Sequence, residues 1–186
     1  YANATFKPTS FFLINVPDNL NFNAAAWNGS SATWQGWDNS TTGAATYKKY
    51  LGTGAITAYT ALAGTASITP KNIFYTIPNS DATNNTKLVI GGEFNPDPSI
   101  TPSQATTVYY PVNINWVYDT TTKTSGPAET SPVATDPKKV YPNRNYICDI
   151  TIKTKGTDKP TTTIDPEDVS VTVTVTKFTD VQQSTV

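Results

Sequence analysis

Val169, Val171, Val173 and Val175 alternate with Ser170, Thr172, Thr174 and Thr176 near the end of the sequence. A period of two, apolar on one side and hydroxylic on the other, predicts a β-strand with one buried face. The same signal recurs upstream. In Ser10–Val16 the residues Phe12, Ile14 and Val16 are expected on one face, and Pro17-Asp18 closes the run. In Thr106–Tyr118 the residues Val108, Tyr110, Val112, Ile114 and Trp116 share one face, opposite Tyr109, Asn113 and Asn115. Pro111 interrupts this run without an amide donor, which marks an edge strand or a bulge. In Tyr146–Thr154 the residues Tyr146, Cys148, Ile150 and Ile152 alternate with Ile147, Asp149, Thr151 and Lys153. Two further strands are expected over Asn72–Ile77 and Lys87–Phe94. In the latter, Gly91-Gly92 signals a bulge or a close backbone approach.

The intervening segments carry turn chemistry. Pro78-Asn79-Ser80 and Tyr141–Asn145 read as turns, Asn95–Ser103 and Gly156–Pro166 as connections, and Asp119–Lys139 as a Thr/Pro/Lys-rich loop. Residues 18–70 are rich in Asn, Ala, Gly, Ser and Thr and exceed an ordinary loop. A short helix over Ala44–Leu51 is expected there, from the spacing of Tyr47, Tyr50 and Leu51. Short strands with Pro, Gly and Asn punctuation and little helix predict an all-β fold. The expected architecture is a transthyretin-like or Ig-like β-sandwich of about seven strands. Residues 1–186 read as a single domain, with 18–70 as an excursion and 177–186 as a tail strand.

Composition narrows the chemistry. The 186 residues carry a net charge of -1 and no long run of one sign, which argues against binding nucleic acid through a basic surface. Histidine is absent, and with it the commonest general base and metal ligand. The lone Cys148 excludes an internal disulfide framework, and on its apolar face it reads as a core thiol. The 14 acidic residues are scattered through loops at no distinctive spacing. Asp165-Pro166-Glu167-Asp168 matches no EF-hand pattern and reads as a solvated loop. The expectation is a non-enzymatic protein that needs no cofactor or metal. No apolar run approaches the ~20 residues of a membrane-spanning helix. The sequence opens on Tyr1 and not Met, so a processed product is expected.

Trp27, Trp34 and Trp37 stand among polar neighbours in the 18–70 excursion. Aromatic faces in an Asn-rich loop can stack on sugar rings, which makes a carbohydrate-binding module the second functional reading. The simpler account is that the indoles pack the excursion onto the domain, since each buries a large area. A hydrolase assembled from two loop carboxylates is the third reading.

Three stretches carry a resemblance: YYPVNINW (Tyr109–Trp116), YPNRNYICDITIKTKG (Tyr141–Gly156) and VSVTVTVTKFTDVQQSTV (Val169–Val186). Arg144-Asn145 leads with Tyr146 into a strand, Lys155-Gly156 supplies a charged-Gly turn, and Phe178 follows a β-branched strand. FFLINVP and NIFYTIPNS...TKLVI match more loosely. In order and spacing these resemble the C-terminal domain of Bacteroidales-type fimbrillins, the type V pilins. The resemblance covers most of residues 70–186 and weakly 5–17. It implies a transthyretin-like sandwich and a structural role in a fimbria at the cell surface, associated with the outer membrane. It further implies assembly by strand exchange with other fimbrial subunits and a contribution to adhesion, with host or bacterial glycans or proteins as further partners. Family subunits have two such domains and are exported as lipoproteins. The chain is short for two, so it corresponds to the second domain or to an atypical subunit.

The tail sharpens that expectation. Val169–Val175 keep odd numbering, whereas Phe178 is even, so a bulge or change of partner is expected at Thr176-Lys177. Val175, Phe178, Val181 and Val186 are the apolar anchors of an assembly strand. Four buried side chains at roughly 1.5–3 kcal/mol each do no more than offset the ordering of residues 177–186 at about 1–2 kcal/mol per residue. The tail is therefore expected to order only in a preformed groove on a neighbour.

Overall fold

The computed structural model describes residues 3–17, 61–64, 66, 74–115, 117–119, 124–126, 136, 138–162, 164 and 169–177. These residues are all-β, with no helix among them. The strands are β1 (Thr5–Ile14), β2 (Leu62–Ala63), β3 (Lys87–Asn95), β4 (Thr106–Asn113), β5 (Val117–Asp119), β6 (Thr124–Gly126), β7 (Arg144–Ile152) and β8 (Val169–Lys177). An antiparallel four-stranded sheet has the order β2-β1-β3-β4, and β5-β6 and β7-β8 form two antiparallel pairs.

Strand β1 begins five residues earlier than its apolar run, and its parity changes on the way. Pro8 stands opposite Gly92 and Ser10 opposite Gly91, leaving Thr9 as the bulged residue. The extra residue lets Phe6 before it and Phe11 after it join one core cluster, with Ile90, Phe94, Val108, Tyr110, Val112 and Ile164. The bulge expected near Gly91-Gly92 thus belongs to the partner strand. The glycines supply the close approach: a Cβ on Gly91 would sit 3.2 Å from the Tyr109 ring, and one on Gly92 would sit 2.6 Å from the Phe6 ring. At the other end of β1, Asn15 adopts a positive φ of 55° and ends the alternation. Phe12 and Ile14 consequently pack with Val89, while Val16 packs with Leu13, Ile114 and Val140. The expected shared face of Phe12, Ile14 and Val16 is divided between two clusters.

Strand β4 follows its predicted phase. Val108, Tyr110, Val112 and Ile114 are all buried. It pairs with β3 on one side. On the other, Tyr109 exchanges two backbone hydrogen bonds with Thr157, at 2.8 and 2.9 Å. Alternate residues of a strand direct their backbone groups to the same side, so the missing amide of Pro111 faces this outer edge. The run ends at Asn113 because Ile114 and Asn115 form a turn before β5. Three other expectations need correction. Of the strand expected over Asn72–Ile77, the described residues 74–77 join no ladder, Thr124–Gly126 pairs with β5 inside the expected loop, and Leu62–Ala63 of the excursion joins β1. The helix expected over Ala44–Leu51 lies outside the described residues.

Two buried polar centres tie these elements together. Tyr110, fully buried, donates its hydroxyl to Thr154 O at 2.9 Å and meets Phe6 edge-on with ring centroids 5.1 Å apart. Gly156 lies against the same ring, and a Cβ there would be 2.8 Å from both Tyr109 O and Tyr110 Cζ. Asn79 is also fully buried. Its side-chain amide donates toward Asn15 O, Asn84 O and Thr86 Oγ1 at 3.2, 2.9 and 3.0 Å, and its Oδ1 accepts the Asp81 amide at 2.9 Å. Its backbone exchanges two bonds with Val140.

These contacts predict two stability losses, measurable by urea denaturation. Tyr110→Phe removes one buried hydrogen bond and leaves the Thr154 carbonyl without it, at a cost of about 1–2 kcal/mol. Gly156→Ala forces a Cβ against the Tyr109 carbonyl and the Tyr110 ring and costs about 1–3 kcal/mol. Asn79→Ala orphans several groups at once and is expected to exceed Tyr110→Phe.

Candidate functional site

The β7-β8 pair holds the portion of the predicted assembly strand that the structure describes. Its entrance is built locally. Asn143 takes a positive φ of 56°, the Arg144 guanidinium donates to Pro142 O and Asn143 O at 3.1 and 3.2 Å, and the Tyr141 amide donates to the Tyr146 hydroxyl at 2.9 Å. These bonds fix where β7 starts, two residues earlier than its apolar alternation. Along β7, Tyr146, Cys148, Ile150 and Ile152 are half-buried and pack against the core cluster around Tyr110. Asn145, Ile147, Asp149 and Thr151 are exposed.

Strand β8 runs antiparallel to β7 in unbroken register, from Ile152 opposite Val169 to Arg144 opposite Lys177. Val175 stands opposite Tyr146, so this predicted anchor is part of an intramolecular ladder. The bulge expected at Thr176-Lys177 is absent. Asn145 and Arg144 continue the pairing because β7 begins early enough to receive them. Among the described strands, β8 is hydrogen-bonded to β7 alone, and β5 approaches it without joining the ladder. Phe178, Val181 and Val186 of the assembly strand lie outside the described residues. So do Trp27, Trp34 and Trp37, the predicted ligand or adhesion surface.

The described polar side chains serve mostly local structure. Asp81 Oδ1 accepts the Thr83 and Asn84 amides at 2.7 and 3.0 Å, and Oδ2 accepts Asn84 Nδ2 at 3.1 Å. The Asn84 amide is the main cause that holds this carboxyl below its ordinary value. Asp97 accepts the Ser99 hydroxyl and amide, which likewise lower its pKa. Asp136 accepts the Lys138 amide and pairs with Lys139 at 3.6 Å. Across the main sheet, Lys7 and Glu93 form a solvent-exposed pair at 4.0 Å that adds little. Among the described residues no three His, Cys, Asp or Glu side chains gather as a metal site.

The Cys148 thiol lies 4.0 Å from Ile114 O. Burial, with a smaller contribution from Asp149, pushes its pKa up to about 12. Sequence reasoning anticipated its buried face. It did not anticipate Asn79, whose only visible signal was a turn after Pro78.

Comparison of the chain with protein-family models, with curated proteins and with solved structures gives no match.

The Cys148 environment predicts slow chemistry. Iodoacetamide at pH 8 should alkylate the native thiol about 100-fold or more slowly than the urea-unfolded one, followed by mass spectrometry. As pH rises through the unfolded value of 9.0, the unfolded chain loses this proton first. The contribution of the buried neutral thiol to stability therefore falls in alkaline solution.

Proposed function

We propose that the chain is a non-enzymatic structural subunit, or subunit domain, of a bacterial cell-surface fimbria associated with the outer membrane. It assembles with other subunits by β-strand exchange and contributes to adhesion. In this proposal the four-stranded sheet and the β7-β8 pair are the two layers of a transthyretin-like sandwich, which the packing of Tyr146, Cys148, Ile150 and Ile152 against the core supports. Residues after Lys177, with Phe178, Val181 and Val186 as anchors, form the segment passed to a neighbour.

Strand β8 carries the proposal. It is a regular nine-residue strand whose only hydrogen-bonded neighbour among the described strands is β7. A strand of this kind has backbone groups on its second side with which an extended segment from another chain can pair. The fimbrillin resemblance, strongest over Tyr109–Trp116, Tyr141–Gly156 and Val169–Val186, points the same way.

Deleting residues 178–186 tests this division of labour. In bacteria displaying fimbriae that contain this subunit, the truncated chain should reach the surface and keep the unfolding midpoint of the full chain, yet fail to enter fibres seen by immuno-electron microscopy. Normal incorporation of the truncated chain would overturn the role given to the tail.

A further inference from the structure

A polar cavity of about 440 Å³ opens where β3 begins and β4 ends, remote from the proposed tail strand in sequence. Lys87 and Asn113 stand directly opposite each other in the β3-β4 ladder and both line it. Asn85 donates its amide to Asn113 Oδ1, which fixes both side chains. Thr83 enters from the Asp81 loop, Lys138 from the turn before Val140, and Ile164 supplies an apolar wall.

From this geometry we infer a binding site for an anionic sugar, a polyhydroxylated ring bearing a carboxylate or sulfate. The two cations are the first argument. Neither Lys87 nor Lys138 forms an ion pair among the described residues. Asp136 pairs with Lys139, and both Asp81 oxygens accept hydrogen bonds within their own loop. Burial, helped by the charge of Lys138, depresses the pKa of Lys87, so an arriving anion would relieve an unfavourable arrangement. The uncommitted hydrogen-bonding groups are the second argument. Each ammonium presents three donors, and Asn113 Nδ2 bonds to none of the described residues. Asn85, only 4% exposed, has an Oδ1 that accepts from none of them. Donors from two lysines and an amide match an anionic group, and the spare amide oxygen matches a hydroxyl. Ile164, itself mostly buried, closes the cavity with an apolar edge. The volume falls in the range of about 300–1,000 Å³ typical of small-ligand sites.

Neither Trp27, Trp34 and Trp37 nor the fimbrial proposal enters into the inference. Calorimetric titration of the full chain with galacturonate, galactose 6-sulfate, galactose and acetate tests it. At least one of the two anionic sugars should bind, and which one does identifies the anionic group. Galactose and acetate should bind about 10-fold or more weakly, each lacking half of the recognition. Lys87→Gln and Lys138→Gln should each weaken the anionic sugar by about 10-fold or more, the loss of one charge-assisted hydrogen bond. Lys139→Gln, outside the cavity, should bind as the parent does. Lys87→Gln should also unfold at a temperature no lower than the parent, because it removes a half-buried cation that pairs with none of the described residues; this separates loss of ligand from loss of fold. Failure of both anionic sugars to bind, equal binding of galactose or acetate, or undiminished binding by both lysine variants would overturn the inference.

Discussion

The hydrogen bond from the Tyr110 hydroxyl to Thr154 O, with the Tyr109–Thr157 bridge beside it, fastens the segment after β7 to the outer edge of β4. Much else depends on that fastening. Residues 154–157 follow directly from β7, so fixing them fixes where β7 lies and which of its faces meets the core. Tyr110 can act this way because its ring belongs to the apolar cluster while its oxygen reaches the chain leaving β7. Gly156 makes room for the ring, and a side chain there would push the two segments apart. Burial keeps the phenol protonated by raising its pKa well beyond the ordinary range, so the donor persists through any physiological pH.

Asn79 performs a comparable task at the opposite end of the same packing. It joins the exit of β1, the loop before β3 and Val140 ahead of β7 through one side chain and one backbone bridge. A buried amide in this role specifies geometry better than an apolar residue could, because each of its partners must be met at a definite angle and distance. The two centres hold elements distant in sequence, whereas the ladders hold neighbours in the sheet.

Where period-two patterning was clean, the sequence was legible. The buried positions of β4 and the inward face of β7 follow from alternation alone. Pro111 announced an edge strand for a simple reason, its lack of a donor. Legibility failed where one residue reset the phase. Thr9 and Asn15 each shift the parity of β1, and neither a Thr nor an Asn in such a context declares a bulge or a left-handed backbone. Residues 74–77 look like a strand because they are aromatic and β-branched, but strands are made by partners, and these have no ladder among the described residues. The cavity was invisible for a related reason. Lys87, Asn113 and Lys138 are unremarkable in sequence and meet only through the β3-β4 register and the turn before Val140.

The antiparallel pairing of β7 and β8 also has a mechanical side. Nine residue pairs link the strands, ending with Lys177 opposite Arg144. A pull on the chain beyond Lys177 along the strand axis loads the whole ladder in shear, so its bonds resist together. A pull away from β7 at right angles instead peels the ladder from the Arg144 end, one bond at a time. The same nine pairs are therefore strong against tension along one direction and weak against leverage across it. Resistance of β8 to extraction is set by the direction of the load as much as by its contacts.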